Sequence, residues 1–335
     1  MRFLRVLLSI VILIAISIFG LRLAYPLPAL PEGPASVAIP ADVETRLARA
    51  IIPLMEANPG QSGVVPLSEG PDALAARILL ARAAEVSIDV QYYIWQRDTT
   101  SWLLLEELRA AAERGVRVRL LLDDNGIPGL DNVLSALNEM PTVEVRIFNP
   151  FTLRSPKTVS YLFDFFRLNR RMHNKSMTVD GVATIIGGRN IGDIYFAYGD
   201  GAAYFDLDVL AAGPAAADVA ENFDEYWTSQ SAYAAEDVLG PTDNGMVELR
   251  EAVEAALSSA LGSTYVDAIE RSPIADRLRR GEGILEWVDV TLVSDDPAKG
   301  LGQAATENLL AARLWALVPE PRESADLVSA YLIPG

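Results

Sequence analysis

Arg171-Met172-His173-Asn174-Lys175-Ser176-Met177-Thr178-Val179-Asp180-Gly181, followed by Val182 to Ile186 and then Gly187-Gly188-Arg189-Asn190, is the stretch on which the reading of this chain turns. It holds the only histidine among 335 residues. A lone histidine is more often a satisfied structural residue than a catalyst, so its neighbours decide its meaning. The Asp180-Gly181 pair between two apolar runs signals a two-residue hairpin loop. Alternation along the first strand then sets His173 and Lys175 on one face. With Asp180 and Gly181 as the loop, Val179 pairs with Val182, Lys175 lies opposite Ile186, and His173 lies opposite Gly188. A glycine there leaves a gap beside the imidazole, edged by the Asn190 amide and the Lys175 ammonium as donors to an anion such as a phosphate.

The order His-x-Lys, four residues, Asp, six residues, Gly-Gly-x-Asn resembles the signature of the phospholipase D superfamily in both residue type and spacing. The resemblance implies an α/β fold, a phospholipase D-like mixed β-sheet flanked by helices, here behind an N-terminal transmembrane helix. It implies that His173 attacks phosphorus to form a phosphohistidine and that Lys175 and Asn190 hold the phosphoryl oxygens. Asp180 becomes a scaffold residue, and its plain reading as a turn former needs no chemical part at all. No cofactor or metal is implied. Phe205 to Ala211 reads as a strand on which Asp206 and Asp208 share a face. In the superfamily an acidic residue after the motif orients the nucleophilic imidazole; Asp206 stands where it is expected, with Asp208 as the alternative.

Composition narrows the partners. A formal charge of −17 argues against nucleic acid, whose binding needs clustered Lys and Arg. The absence of cysteine excludes a thiolate metal site and a cysteine nucleophile, and one histidine ill suits zinc. Four segments follow from the sequence. Residues 1–25 carry an apolar run, Val6 to Leu21, flanked by Arg2, Arg5 and Arg22, and read as a membrane anchor or signal segment. With no good small-x-small cleavage site after it, the uncleaved anchor is preferred, its start held in the cytoplasm by the arginines. The catalytic part then lies on the outer, periplasmic side of the cell membrane. Residues 26–40 are a Pro-rich extended linker. Residues 41–240 hold the single motif, and residues 241–335 read as a helical connection ending in the first strand of an incomplete second half.

Within 41–240 the periodicity predicts helices over 41–57, kinked at Pro53, and over 72–84. A strand over 86–94, a helix starting at Thr99 to Ser101 and stopping at Gly115, and a strand over 116–122 make a βαβ unit with parallel strands. A helix over 132–140 and a strand over 143–148 extend it. The strand, helix and second strand of the βαβ unit, the last entered through Arg114-Gly115-Val116-Arg117-Val118, also resemble the pattern with which halves of the superfamily open. Asp123 and Asp124 read as turn formers rather than metal ligands. The aromatic and basic stretch 149–169 reads as core, with a lid or lipid-facing rim as its functional alternative. Beyond the hairpin, helices are expected over 216–227, 244–260 and 303–317, and a strand over 285–293.

The superfamily mechanism needs two motifs, the second histidine protonating the leaving alcohol, and the second is absent here. Either two copies bring two His173 residues face to face, or a separate second-half chain or missing segment supplies the acid. Asp326 to Gly335 resembles the opening strand of a second half, which favours a truncated first half. The wording Asn169-x-Arg171-Met172-His173-Asn174-Lys175-Ser176 and the anchor most resemble bacterial cardiolipin synthases, which implies phosphatidyl transfer between phospholipids at a membrane. The alternatives are a hydrolytic phospholipase D, a nuclease disfavoured by charge, and a membrane-anchored protein whose single motif is a relic.

Overall fold

Apolar runs that are buried on both faces are what central strands of a mixed sheet require, and they set the order of this one. In the computed structural model, residues 2–31, 33–41, 44–196, 204, 206–272, 276–277 and 283–317 are described. Their strands are β1 (Ser62–Leu67), β2 (Ser87–Tyr92), β3 (Arg117–Asp123), β4 (Val143–Phe148), β5 (Ser176–Val179), β6 (Ala183–Gly187), β7 (Asp208–Ala212), β8 (Ala232–Ala234) and β9 (Glu286–Val288). They form one sheet in the order β8-β4-β3-β2-β5-β6-β7-β1-β9. β2, β3 and β4 are parallel, and β5 runs antiparallel beside β2. The expected strand within Asp326 to Gly335 lies outside the described residues.

Alternation along β3 separates two cores. Leu120 and Leu122 point into the larger cluster with helices Gly70–Ala83 and Thr99–Glu113, whereas Leu121 points to a smaller cluster with Phe223, Tyr226 and Trp227 of helix Pro214–Trp227. On that second face the buried Arg119 guanidinium grips both oxygens of Asp89, at 2.6 and 2.9 Å, and lies against the stacked Phe223 and Trp227 rings. Several element ends shift from the sequence reading for local reasons. The helix expected from Ala41 starts at Arg46, where the Thr45 hydroxyl caps it, and Pro53 sits inside it. The helix expected to start at Thr99 to Ser101 is capped by Asp98, which accepts from the Ser101 N–H.

The N-terminal helix runs Arg2–Ala24, longer than the sixteen-residue apolar run, with no residue buried. Its 23 residues rise about 34 Å, enough to cross a hydrocarbon core of about 30 Å. The Pro-rich segment after it is extended but not free. Ser36 donates to Glu144 at 2.8 Å and its carbonyl accepts from Arg119 at 2.7 Å, while the Ala38 N–H donates to Asp224 at 2.8 Å. The segment therefore crosses the sheet face and reaches the β5–β6 turn, where the Ile39 carbonyl occupies the space a Cβ on Gly181 would fill.

Candidate active site

The β5–β6 hairpin has its turn at the amino end of β2 and its open end at the carboxyl end, because β5 is antiparallel to β2 with Ser176 opposite Gln91. Ligands of open α/β sheets gather at the carboxyl ends of parallel strands. The register differs by one residue from the sequence reading: Val179 pairs with Ala183 and Ser176 with Ile186. The loop thus has three residues, Asp180, Gly181 and Val182, the first two at φ 51° and 65°. The reason is the Asp180 side chain. It is fully buried and accepts from the backbone N–H of Val86 at 2.8 Å, Ser87 at 3.0 Å and Glu85 at 3.1 Å, while its own N–H donates to Ser87. These bonds weld the turn to the start of β2. Asp180 lies a full strand length from His173.

At the open end, His173 and Lys175 stand on the extended run that enters β5. The run is anchored from behind. Asp123 accepts from the Met172 N–H at 3.0 Å and from Arg171 at 3.2 Å, and Arg171 also donates to the Asn149 carbonyl at 2.9 Å. Asp124 accepts from the Phe151 N–H at 2.6 Å, Lys157 at 2.9 Å and Arg154. Both carboxylates of the pair are thus engaged by cations and backbone donors that shape the approach to His173.

The His173 ring lies 4.1 Å from the Tyr93 ring, centroid to centroid, and the Lys175 ammonium sits 5.6 Å from the same ring. Lys175 donates to the His173 carbonyl at 2.5 Å. Partial burial, then the Lys175 and Lys299 ammoniums, lower the His173 pKa from 6.5 to about 4. The ring is nonetheless exposed at its outer edge, where water screening works against the full shift; the direction alone leaves a neutral imidazole at pH 7. Burial lowers Lys175 to about 8, opposed by Asp206 and Asp208, so the ammonium persists at neutral pH. A cleft of about 250 Å³ opens here, lined by His173, Lys175, Gln91, Asn222, Ser294 and Asp295 among others.

Three sequence-predicted residues stand behind this cleft rather than on its wall. Asn190 accepts from the Ile94 N–H at 3.1 Å. Only its oxygen can do so, which leaves the amide Nδ2 buried and without a partner among the described residues. Gly188 does not leave a gap for substrate: the Asp206 carboxylate fills that space, and an added Cβ would overlap it. Asp206 lies two residues before β7 instead of within it, and accepts from the Leu207 N–H at 2.8 Å. Among the described residues it makes no hydrogen bond to His173; its charge acts on Lys175. Asp208, the alternative, is committed to Arg77 at 2.8 Å in a fully buried pair.

Sequence reasoning missed Tyr93, Asp295 and Lys299. Tyr93 carried a usable signal, since it follows β2 directly at the strand's carboxyl end. Asp295 and Lys299 pair with each other and lie more than a hundred residues from the motif, with no local pattern to announce them. An amide chain ties that segment to the site: Asn174 donates to Asn222 at 3.1 Å and Asn222 to Ser294 at 2.7 Å.

Comparison with known proteins bears on this geometry. A family model described as cardiolipin synthase, PLD-like domain, matches residues 78–227. Cardiolipin synthase C of Escherichia coli (strain K12) is 48% identical over 289 residues, 86% of this chain and 61% of that protein. An uncharacterized protein of Helicobacter pylori (strain ATCC 700392 / 26695) is 44% identical over 176 residues, 52% of this chain and 35% of that one. Cardiolipin synthase A of Pseudomonas entomophila (strain L48) is 30% identical over 162 residues, 48% and 32% of the two chains. The chain thus spans 61% of the first relative's length and about a third of the others'. The matched segment runs from within helix Gly70–Ala83 to Trp227 and contains the whole His173 hairpin, and over it the chain is similar to the phospholipase D-like domain of the cardiolipin synthases.

Proposed function

We propose that this chain contributes one half of a phosphatidyl-transfer site acting between phospholipids at a membrane. The observation that carries the reading is that His173 and Lys175 line one cleft side by side, and the lowering of the His173 pKa by burial and its neighbouring ammoniums favours the neutral imidazole a nucleophile needs. In the proposed reaction a His173 ring nitrogen attacks the phosphorus of one lipid. The P–O bond to the leaving alcohol breaks, and an acid from outside this sequence donates the proton. A second copy with its own His173, or a separate chain bearing a second motif, would supply that acid. Lys175 balances the charge that builds on the phosphoryl oxygens, backed by the unpartnered Asn190 Nδ2 behind the cleft wall. The hydroxyl of a second lipid then attacks, surrenders its proton to the same external group, and releases His173. Water in that role would make the chain a hydrolase.

Asp180 and Gly188 enter this reading as scaffold. Asp180 fixes the turn, and Gly188 admits Asp206 behind Lys175. The N-terminal helix, anchored with its arginine-bearing start in the cytoplasm, would put the site on the outer side of the cell membrane. The test is incubation of the full chain, in vesicles containing labelled phosphatidylglycerol, with resolution of the lipids. Labelled cardiolipin is expected, and phosphatidic acid would replace transfer by hydrolysis. Neither product, even after mixing with a second-half polypeptide from a related synthase, would overturn a catalytic role.

A further inference from the structure

We propose that helix Tyr161–Leu168 is a membrane-docking element that seats the carboxyl end of the sheet, and the mouth of the His173 cleft, on the bilayer crossed by the N-terminal helix. The inference rests on the anchoring proposed above. Phe163 and Leu168 of this helix are buried, yet Leu162, Phe165 and Phe166 are 73, 53 and 75% exposed. The backbone leaves helical geometry at Asp164 (φ −139°, ψ 31°), so Leu162 precedes the break and Phe165 and Phe166 follow it; all three present large apolar side chains to the surface within five residues, as one exposed stripe. The Phe165 ring lies 5.8 Å from that of Phe166 and 6.2 Å from that of Tyr161.

What covers the stripe follows from its neighbour. Arg22, at the end of the N-terminal helix, donates to the Phe163 carbonyl at 2.7 Å and pairs with Asp164 at 3.7 Å. Tyr25 stacks on Phe163 at 6.2 Å. The stripe therefore lies level with the point where an apolar helix would leave the hydrocarbon, the depth at which aromatic rings and arginines collect. The segment from Ser36 to Ala38, fixed to Arg119 and Asp224, keeps the body from swinging away.

Charge fits the same occupant. In a chain of net charge −17, residues 151–175 carry six Lys or Arg (154, 157, 167, 170, 171, 175) against one Asp (164). Arg154 and Lys157 are neutralised by Asp124 and Asp131, and Arg171 by Asp123. Arg22 and Arg167 share Asp164, and Arg170 has no ion pair among the described residues. The rim of the stripe is thus basic, which suits anionic lipid headgroups. Leu168 is five residues before His173, so lipids gathered here would stand at the cleft.

The chain has no cysteine, so single-cysteine variants can carry one environment-sensitive fluorophore each. Leu162→Cys, Phe166→Cys, Ile12→Cys and Glu139→Cys would be labelled in the full chain and reconstituted into phosphatidylethanolamine–phosphatidylglycerol vesicles with nitroxide-bearing acyl chains. Docking predicts severalfold quenching at Leu162, Phe166 and Ile12 and none at Glu139, which precedes the opposite end of β4. Water-like, unquenched emission at Leu162 and Phe166 overturns docking, and quenching at Ile12 in that case shows that anchoring still holds. Labels at 162 and 166 shielded from aqueous iodide yet unquenched by lipid overturn it in favour of a second copy. Quenching at 162 and 166 without quenching at Ile12 sustains docking and removes the anchor instead.

Discussion

The two ends of the β5–β6 hairpin carry the same signature but are built oppositely. At the turn, Asp180 is fully buried and both its carboxylate oxygens accept from backbone N–H groups of Glu85, Val86 and Ser87 at the start of β2. At the open end, His173 faces solvent, Lys175 rests on its neighbour's carbonyl, and the buried Asn190 Nδ2 has no partner among the described residues. Buried polar groups are normally satisfied, so an orphan donor at this end is one that a ligand in the proposed reaction would complete. One end supplies stability and leaves nothing over for chemistry, whereas the other keeps its donors uncommitted.

That division can be broken in graded ways. Lys175→Met strikes the open end. It should lower phosphatidyl transfer by about 100- to 1,000-fold, as loss of a charge-stabilising donor does, while thermal unfolding of the variant stays within about 0.5 kcal/mol of the parent. Asp180→Ala strikes the turn, stranding buried N–H groups of Val86 and Ser87. It should destabilise by about 3 kcal/mol in denaturant unfolding, and whatever fraction remains folded should keep its turnover. Reversed outcomes for these two variants would erase the distinction between the ends. Gly188→Ala tests the join between them: the added methyl must displace Asp206, at about 1–3 kcal/mol, and should move the Lys175 titration downward, readable in the pH profile.

The smallest effect is in the pH dependence itself. The proposed reaction needs a neutral His173, and its lowered pKa means protonation should begin to abolish activity only as pH falls towards about 4. A charged Lys175 is required, and activity should fall as pH rises through about 8. Lys175→Arg should remove the alkaline limb, because a guanidinium stays charged there. For stability the sign is the same as for any group whose folded pKa is depressed: the His173 contribution is present above 6.5 and is lost as pH falls from 6.5 towards 4.

Much of this division was legible in the residues. Asp180-Gly181 announced the turn, and alternation put His173 and Lys175 together. The loop length was not legible, because the third loop residue is dictated by Asp180 reaching across to Glu85, Val86 and Ser87, nearly a hundred positions away. Gly188 was read as a space for substrate; its true occupant, Asp206, comes from the residues leading into the next strand and leaves no trace at Gly188 itself. The aromatic stretch near Phe165 was ambiguous for a similar reason. Phe163 faces the body and Phe166 faces out, and only contact with Arg22 and Tyr25 separates core from rim.

The central claim is that the open end of the hairpin forms a covalent bond to phosphorus. Acid-quenching the full chain during incubation with phosphate-labelled phosphatidylglycerol, then mapping the label by mass spectrometry at neutral and at low pH, tests it directly. The account predicts an acid-labile phosphatidyl adduct on His173, kept in Asp180→Asn and absent in His173→Ala. An adduct that survives in His173→Ala, or that maps to any other side chain, would contradict it.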